Sequence, residues 1–300
     1  MYQYYIYGLG IHTEIRFYNL EEKSVSGDVL VHYGVISREI EEYMRKGLTS
    51  AMSAERVWFR NENAHFVISG GNDIMVQPIQ SVTDEEIASF VLGWGMAFLF
   101  QLRGVSAIHS SAIEIQGRAV LIAGFSGSGK STTALSLLAA GCRYLTDDVT
   151  MVDPRHDFMI QPSYPQQKLC RNVAEQMKKA DLYYIDEKKD KFAYLNRKDF
   201  CGEPRKLTTM FILDPYDGQR VVVKEVKGID KLNCILKNLF LLDAYRSLGF
   251  TIEEQIRCLK IAEKINVFKI SRPKDRDTTE EVRNIILAMG ERLCQLSGEQ

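Results

Sequence analysis

The sequence predicts an α/β protein with a phosphate-binding loop, preceded by a smaller β-rich α+β domain. The run GFSGSGKS at residues 124–131 matches the pattern GxxxxGK[ST]. It follows the apolar run AVLIA and leads into the run TTALSLLAA, so it has the strand and the helix that such a loop requires. Strand-like and helix-like runs alternate through the rest of that half, which favours the α/β class.

The chain is expected to fold as two domains. Residues 1–82 hold short β-type runs broken by turn signals such as Gly70-Gly71-Asn72-Asp73, and this part is a candidate for substrate recognition. The apolar run from Ile87 to Leu102 is shorter than the ~20 residues of a membrane span, so we predict a buried helix capped by Thr83. The second domain is therefore expected over residues 83–300.

Local patterns also predict individual elements. Strands in the first domain are expected at Tyr2 to Tyr7, Ile15 to Tyr18, Val29 to Tyr33, Val57 to Arg60, Ala64 to Ser69 and Ile74 to Pro78. Helices in the second domain are expected at Lys130 to Ala140, Ile229 to Leu241, Ile252 to Ile265 and Thr278 to Leu296. Strands there are expected at Ile113 to Ile115, Ala119 to Ala123, Arg143 to Thr146, Thr209 to Leu213, Val221 to Val226 and Val267 to Ile270.

Composition excludes several classes of partner. The net charge of -1 offers no basic surface for nucleic acid or an anionic membrane. The N-terminal run MYQYYIYGLGIHTEIRF lacks the basic segment and the cleavage site of a signal peptide. The 6 cysteines form no CxxC pair, which is typical of reduced thiols. These features predict a cytoplasmic protein with neither nucleic-acid nor membrane partners.

The loop suits a nucleotide phosphate. Its glycines allow backbone angles that direct successive N–H groups at phosphate oxygens, and the next helix adds its N-terminal dipole. Lys130 is expected to reach the β- and γ-phosphates, and the Ser131 hydroxyl is expected to ligate Mg²⁺. ATP is the expected donor, while GTP and pyrophosphate stay open. The candidate nucleotide-binding residues are Gly124, Ser126, Gly127, Ser128, Gly129, Lys130, Ser131 and Thr132.

Two adjacent aspartates, Asp147 and Asp148, follow the loop closely. A helix of about ten residues travels roughly 15 Å away from the loop. A strand from Cys142 to Asp147 then returns roughly 17 Å. The pair is therefore expected at the carboxyl end of a strand beside the loop, with one carboxylate holding the metal and the other meeting the acceptor. A merely polar strand end is the alternative.

His109 is placed by the register of a predicted hairpin. If Gln116-Gly117 is a two-residue turn, Ile115 pairs with Arg118 and His109 faces Gly124. A histidine there could orient a carboxylate or contact phosphate, and a satisfied strand-end histidine is the alternative. The other histidines show no metal-ligand spacing.

The run HSSAIEIQGRAVLIAGFSGSGKSTTALSLLAAGCRYLTDDV at residues 109–149 resembles the HPr kinase/phosphorylases. Proteins of that family carry a histidine before the phosphate strand, a GxSGxGKS loop and an aspartate pair after the next strand. In this chain His109 lies 21 residues before Lys130, and Asp147 lies 17 residues after it. The resemblance implies a P-loop kinase domain of the HPr kinase/phosphoenolpyruvate carboxykinase type.

The resemblance also implies roles for the site residues. Asp147 resembles the base that accepts the proton of a serine hydroxyl. Asp148 and Ser131 resemble the residues that bind Mg²⁺. His109 and Lys130 complete the candidate catalytic group.

Beyond residue 149 the resemblance weakens. The run NLFLLDAYR at residues 238–246 lacks the glycine of the family's LFGxxAVR signature. Arg246 in this run and Arg272 in the run SRP are candidate phosphate ligands, and a solvated arginine is the alternative for each.

These departures favour a substrate other than HPr. The chain resembles the diverged HPr-kinase-related proteins that phosphorylate a serine of lasso-peptide precursors. The expected partner is therefore a peptide or small protein with an acceptor serine, such as a ribosomal natural-product precursor. The family resemblance also favours a homo-oligomer. A kinase for a small hydroxyl compound such as free serine, and a nucleotide-sensing regulatory module, are the alternative functions.

Overall fold

The computed structural model describes residues 1–18, 20–79, 81–177, 182–186, 191–248 and 250–297. The first strands are β1 (Tyr2–Ile6), β2 (Leu9–Thr13), β3 (Val29–Tyr33), β4 (Ser50–Met52), β5 (Arg56–Arg60), β6 (Ala64–Ser69) and β7 (Asp73–Pro78). They form one sheet in the order β1-β2-β3-β7-β6-β5-β4. Helix α1 (Arg38–Arg45) packs on this sheet through Ile40, which lies against Trp58.

The β-rich character predicted for this part is confirmed, with one strand in error. Ile15 and Phe17 are fully buried but belong to no strand, so the alternation of apolar residues there reflects burial alone. Strand β2 was missed by the sequence analysis. It pairs with β1 across a tight turn at Tyr7-Gly8, where both residues have positive φ (53° and 77°). The glycines on either side of Leu9 hide the strand pattern.

An apolar helical segment follows, as predicted. Helix α2 (Asp84–Phe90) continues through a π-helical turn at Val91–Gly95 into α3 (Met96–Leu102). The Thr83 hydroxyl accepts a hydrogen bond from the Glu86 N–H, and the Glu86 carboxylate accepts one from the Thr83 N–H. The two residues therefore form a capping box. No helix among the described residues is long and apolar enough to cross a membrane.

The second half holds the phosphate-binding loop. Its strands are β8 (Ser106–Ile108), β9 (Ser110–Ile115), β10 (Arg118–Ala123), β11 (Arg143–Thr146), β12 (Thr150–Val152), β13 (Met159–Ile160), β14 (Gln166–Cys170), β15 (Leu182–Asp186), β16 (Lys191–Leu195), β17 (Arg205–Tyr216), β18 (Val222–Val226) and β19 (Asn266–Pro273). The large sheet has the order β11-β9-β10-β17-β19-β18, with β13 paired to β17. Strands β10, β17 and β19 are parallel, so their carboxyl ends share the edge at which the loop follows β10.

Helices pack on both faces of this sheet. The helices described in this half are α4 (Lys130–Ala139), α5 (Arg171–Met177), α6 (Ile229–Lys237), α7 (Leu242–Leu248), α8 (Ile252–Lys264) and α9 (Thr279–Ser297). Helices α4 and α9 pack together on the sheet through residues such as Leu137 and Ile286. Strand β12 pairs with β8, and β14, β16 and β15 form a separate small sheet.

The predicted hairpin is present in the predicted register. Strands β9 and β10 pair from Ile115 with Arg118 to Ser110 with Ala123. The turn residues Gln116 and Gly117 both have positive φ, as a two-residue hairpin of this kind requires.

The fold class is confirmed as α/β with a β-rich N-terminal part. One cluster of buried apolar residues extends through both halves, and it includes Phe66 of the first sheet, Phe98 of α3 and Leu121 of β10. The division into domains at residues 82 and 83 stays a prediction.

Replacing Thr83 by alanine tests the capping box. Thr83→Ala removes the acceptor for the Glu86 N–H, and we expect a loss of about 1 kcal/mol in the free energy of unfolding. Thr83→Ser keeps the hydroxyl and should unfold like the native chain. Urea denaturation measures both variants, and equal stability of the alanine and serine variants would contradict the capping role.

Candidate active site

The loop has the backbone conformation of a phosphate cradle. Gly124, Gly127 and Gly129 all have positive φ, at 137°, 80° and 98°. A Cβ on Gly124 would lie 2.5 Å from the Leu213 carbonyl oxygen, so this position accepts only glycine. The glycines at these positions are thus required by the fold of the loop itself.

The loop also holds polar groups suited to phosphate. The Ser128 hydroxyl is buried and has no hydrogen-bond partner in the described part of the chain. The Lys130 ammonium donates to the carbonyl oxygens of Gly124 (2.7 Å) and Phe125 (3.2 Å), so it lies folded over the loop. Ser131 follows in the first turn of α4. An orphan hydroxyl, a lysine and a helix N-terminus around one cradle fit a nucleotide phosphate.

Asp147 follows the end of β11 and is held by two donors. Its Oδ1 accepts a hydrogen bond from the Ser111 hydroxyl (2.7 Å), and its Oδ2 accepts one from the Lys168 N–H (2.7 Å). Burial raises the pKa of Asp147 above its usual 3.8; the two hydrogen bonds oppose this rise and the Asp148 charge adds to it. Each carboxylate oxygen can accept a further hydrogen bond, so Asp147 can still accept one from the hydroxyl group of a substrate.

Asp148 faces the Lys168 ammonium and the His109 imidazole. It has a φ of 66°, so the chain turns sharply after β11. Its Oδ2 lies 3.0 Å from the Lys168 ammonium, and its Oδ1 lies 3.5 Å from Nε2 of His109. The side chain is 14% exposed. Lys168 and His109 therefore each face one oxygen of a carboxylate that could act as a ligand of a metal ion.

Lys168 contacts both aspartates and was missed by the sequence analysis. Its main chain binds Asp147 and its side chain binds Asp148. Burial alone would lower the pKa of the Lys168 ammonium. The charge and hydrogen bond of Asp148, with the charges of Tyr164 and Asp147, together outweigh burial, so the pKa is raised. The run QQKLC around it matches no motif, so nothing in the sequence marked this residue.

Asn238 connects the loop to His109 and was also missed as a site residue. Its side-chain oxygen accepts a hydrogen bond from the Gly124 N–H (3.0 Å), and its main-chain oxygen accepts one from the His109 N–H (2.7 Å). The side-chain amide donates to the Cys234 carbonyl (2.8 Å). Asn238 is the first residue of the run NLFLLDAYR, whose pattern marks only the arginine as a candidate ligand.

His109 lies where the hairpin register predicts. It comes directly before β9, whose last pair is Ser110 with Ala123. Its ring packs edge-on against Phe240 (5.8 Å between ring centroids). The contact with Asp148 and the hydrogen bond to Asn238 place His109 between the aspartates and the loop.

The structure describes the side chain of one of the two candidate arginines. The Arg272 Nε donates to the Ser128 carbonyl (2.9 Å), and the guanidinium lies against Gly129. Arg272 is therefore beside the loop, as a phosphate ligand would be. Arg246 belongs to α7, but its side chain lies outside the described residues, so its role stays a prediction.

No group of three or more His, Cys, Asp or Glu side chains in the described part of the chain could hold a metal ion. Ser131 and Asp148 would therefore supply only part of a coordination shell. Mg²⁺ in phosphoryl-transfer sites characteristically takes its other ligands from water and from substrate phosphates. The residues present fit a metal that arrives with the nucleotide.

The fold and the loop define a P-loop protein of the α/β class. Comparison with known proteins shows which P-loop proteins the chain is similar to. No family model matches the chain. The HPr kinase/phosphorylase of Lactobacillus gasseri is 31% identical over 123 residues, which cover 38% of this chain and 38% of that protein. The HPr kinase/phosphorylase of Pediococcus pentosaceus is 30% identical over 150 residues, which cover 47% of this chain and 46% of that protein. Over these segments the chain is similar to the HPr kinase/phosphorylases.

The similarity is partial. The matches span less than half the length of both relatives. The solved Hpr(Ser) kinase/phosphatase from Coxiella burnetii gives a TM-score of 0.32 at 14% identity, covering 63% of this chain and 97% of that chain. A score this low supports no argument about the fold.

Replacing Lys168 by methionine tests its contact with Asp148. Lys168→Met leaves the Asp148 carboxylate largely buried without its ammonium, so we expect a loss of about 3 kcal/mol in the free energy of unfolding at neutral pH. The control is Lys206→Met, which removes a surface pair with Asp157 and should lower the free energy of unfolding much less. If urea denaturation shows equal losses of stability in the two variants, the buried pair contributes no more to stability than the surface pair.

Proposed function

We propose that this protein is an ATP- and Mg²⁺-dependent kinase that transfers the γ-phosphate to a serine hydroxyl of a peptide or small protein. One observation carries the proposal. A continuous set of contacts runs from the Gly124 N–H through Asn238 and His109 to Asp148, and it connects the phosphate loop to the aspartates. The relationship to HPr kinase/phosphorylases supports the same chemistry.

The loop residues bind the donor. Main-chain N–H groups of the loop and the Ser128 hydroxyl are the hydrogen-bond donors for the phosphates. Lys130 turns its ammonium from the loop carbonyls to the β- and γ-phosphate oxygens. Ser131 and Asp148 would hold the Mg²⁺, which would supply the positive charge that neutralises those oxygens.

Asp147 is the proposed base for the acceptor serine. The serine oxygen forms a bond to the γ-phosphorus while the bond from that phosphorus to the departing ADP oxygen breaks. The serine proton passes to the Asp147 carboxylate, whose raised pKa suits it to take a proton. Ser111 and the Lys168 N–H hold this carboxylate in position.

Lys168 and His109 are proposed to orient the second carboxylate. Each faces a different oxygen of Asp148, and together they fix its rotation. The Lys168 ammonium also balances the negative charge of the aspartate pair when no metal is bound. Both residues act through Asp148 and are positioning residues.

The first sheet offers a place for a peptide. Strand β1 is at its edge, where the Lys23 N–H binds the Gln3 carbonyl and the Tyr7 N–H binds the Pro162 carbonyl. Between these contacts Tyr5 is 52% exposed beside a cavity of about 340 Å³. We propose that the acceptor peptide adds to the sheet here. A homo-oligomer and a cytoplasmic location stay predictions.

The decisive experiment follows phosphate from γ-labelled ATP into serine peptides encoded beside this gene. Asp147→Asn should lower the transfer rate by at least about 100-fold and keep nucleotide binding, because only the base is lost. Lys130→Ala should weaken ATP binding as well as transfer. Chelation of Mg²⁺ should stop transfer in the native protein. Asp217→Asn, a change at an 84% exposed carboxylate, is the matched control and should transfer normally.

The alternatives give different results in the same assay. Release of ADP with free serine or another small hydroxyl compound, without peptide labelling, would indicate a metabolite kinase. Tight ATP binding with no transfer to any acceptor would indicate a nucleotide sensor. Full activity of Asp147→Asn would remove Asp147 as the base.

Replacing Tyr5 by proline tests the peptide site. Tyr5→Pro removes an N–H at the outer edge of β1, where proline is tolerated, so KM for the peptide should rise about tenfold. KM for ATP should not change. Tyr5→Ala keeps the N–H and is the control. Equal peptide KM values for the proline and alanine variants would place the peptide elsewhere.

A further inference from the structure

A cavity of about 200 Å³ lies beside the phosphate-binding loop. Residues of the loop, of α4, of β19 and of the start of α9 line it. They include Gly129, Thr132, Arg272, Asp277, Thr278 and Thr279. Gly129 and Arg272 belong to the phosphate site described above, whereas Asp277, Thr278 and Thr279 have no role in it.

The sheet order puts the cavity and the aspartates on opposite sides of the loop. Strand β10 leads into the loop, with β9 and β11 on one side of it and β17 and β19 on the other. Asp147 and Asp148 follow β11, whereas Arg272 belongs to β19. A triphosphate with its last phosphate at the aspartates therefore directs its other end towards the cavity.

The cavity has groups that suit a charged, hydroxyl-rich ligand. The Arg272 guanidinium is held by the Ser128 carbonyl and forms no ion pair within the described part of the chain. Thr278 is only 2% exposed, and its hydroxyl has no hydrogen-bond partner among the described residues. Asp277 accepts a hydrogen bond from the Thr279 N–H (2.9 Å) and, as a carboxylate, can accept others.

We propose that this cavity binds the ribose of a nucleoside triphosphate, with Asp277 accepting from the ribose hydroxyls and Arg272 contacting the adjoining phosphate. Carboxylates recognise ribose hydroxyls in other nucleotide sites. The volume is below the roughly 300 Å³ at which drug-sized pockets begin, so the cavity takes the sugar and leaves the base at its rim. ATP and GTP therefore bind alike.

The ribose site depends on the donor role proposed for the loop, and it makes the donor a nucleotide rather than an inorganic polyphosphate. Calorimetry with Mg²⁺ on the full chain compares ATP, GTP and inorganic tripolyphosphate. Asp277→Asn keeps an oxygen for the Thr279 N–H and removes the charge, so ATP affinity should fall about tenfold. Thr279→Phe fills the cavity and should weaken ATP binding at least as much. Tripolyphosphate affinity should stay the same in both variants.

Asp275→Asn is the matched control, because Asp275 is an exposed carboxylate of the same segment that does not line the cavity. It should bind all three ligands like the native chain. The ribose site is overturned if the native protein binds ATP and tripolyphosphate equally, or if both cavity variants keep native ATP affinity. The proposed phosphate transfer would remain valid in that case, because it does not depend on the ribose site. If the native protein binds neither ligand, the donor role of the loop fails and the ribose site fails with it.

Discussion

The register of the β9–β10 hairpin is the constraint on which the site depends. The turn at Gln116-Gly117 pairs Ile115 with Arg118 and carries the pairing to Ser110 and Ala123. A shift of one residue would turn every side chain of β9 to the opposite face. Ser111 would then lose Asp147. The position of His109 beside Asp148 also follows from this register.

Hydroxyl contacts reinforce the register at the end of β9. The Ser110 hydroxyl donates to the Thr150 hydroxyl (3.0 Å), which lies 2.6 Å from the Thr146 hydroxyl. All three residues are buried. The turn that contains Asp147 and Asp148 lies between Thr146 and Thr150. Its two ends are therefore fixed to β9, and the aspartates are presented as a rigid pair.

Two acidic groups side by side need positive charge and hydrogen bonds to stay in place. Lys168 supplies both, one through its ammonium and one through its N–H. The phosphate-binding loop instead carries N–H groups and Lys130, and Arg272 of β19 lies beside it. Asn238 ties these two regions together, because neutral amide and carbonyl groups can bridge them without adding charge.

Short-range patterns in the sequence determined the loop, the helix after it, the hairpin turn and the capped helix at Thr83. Each is specified by residues a few positions apart. The position of Asp147 at the end of β11, at the same sheet edge as the loop, also followed, because one helix and one strand span nearly equal distances. Lys168 and Asn238 were decided only by the tertiary structure. Their partners lie 21 and 114 residues away in the chain, and no local spacing marks a contact that folding alone brings together.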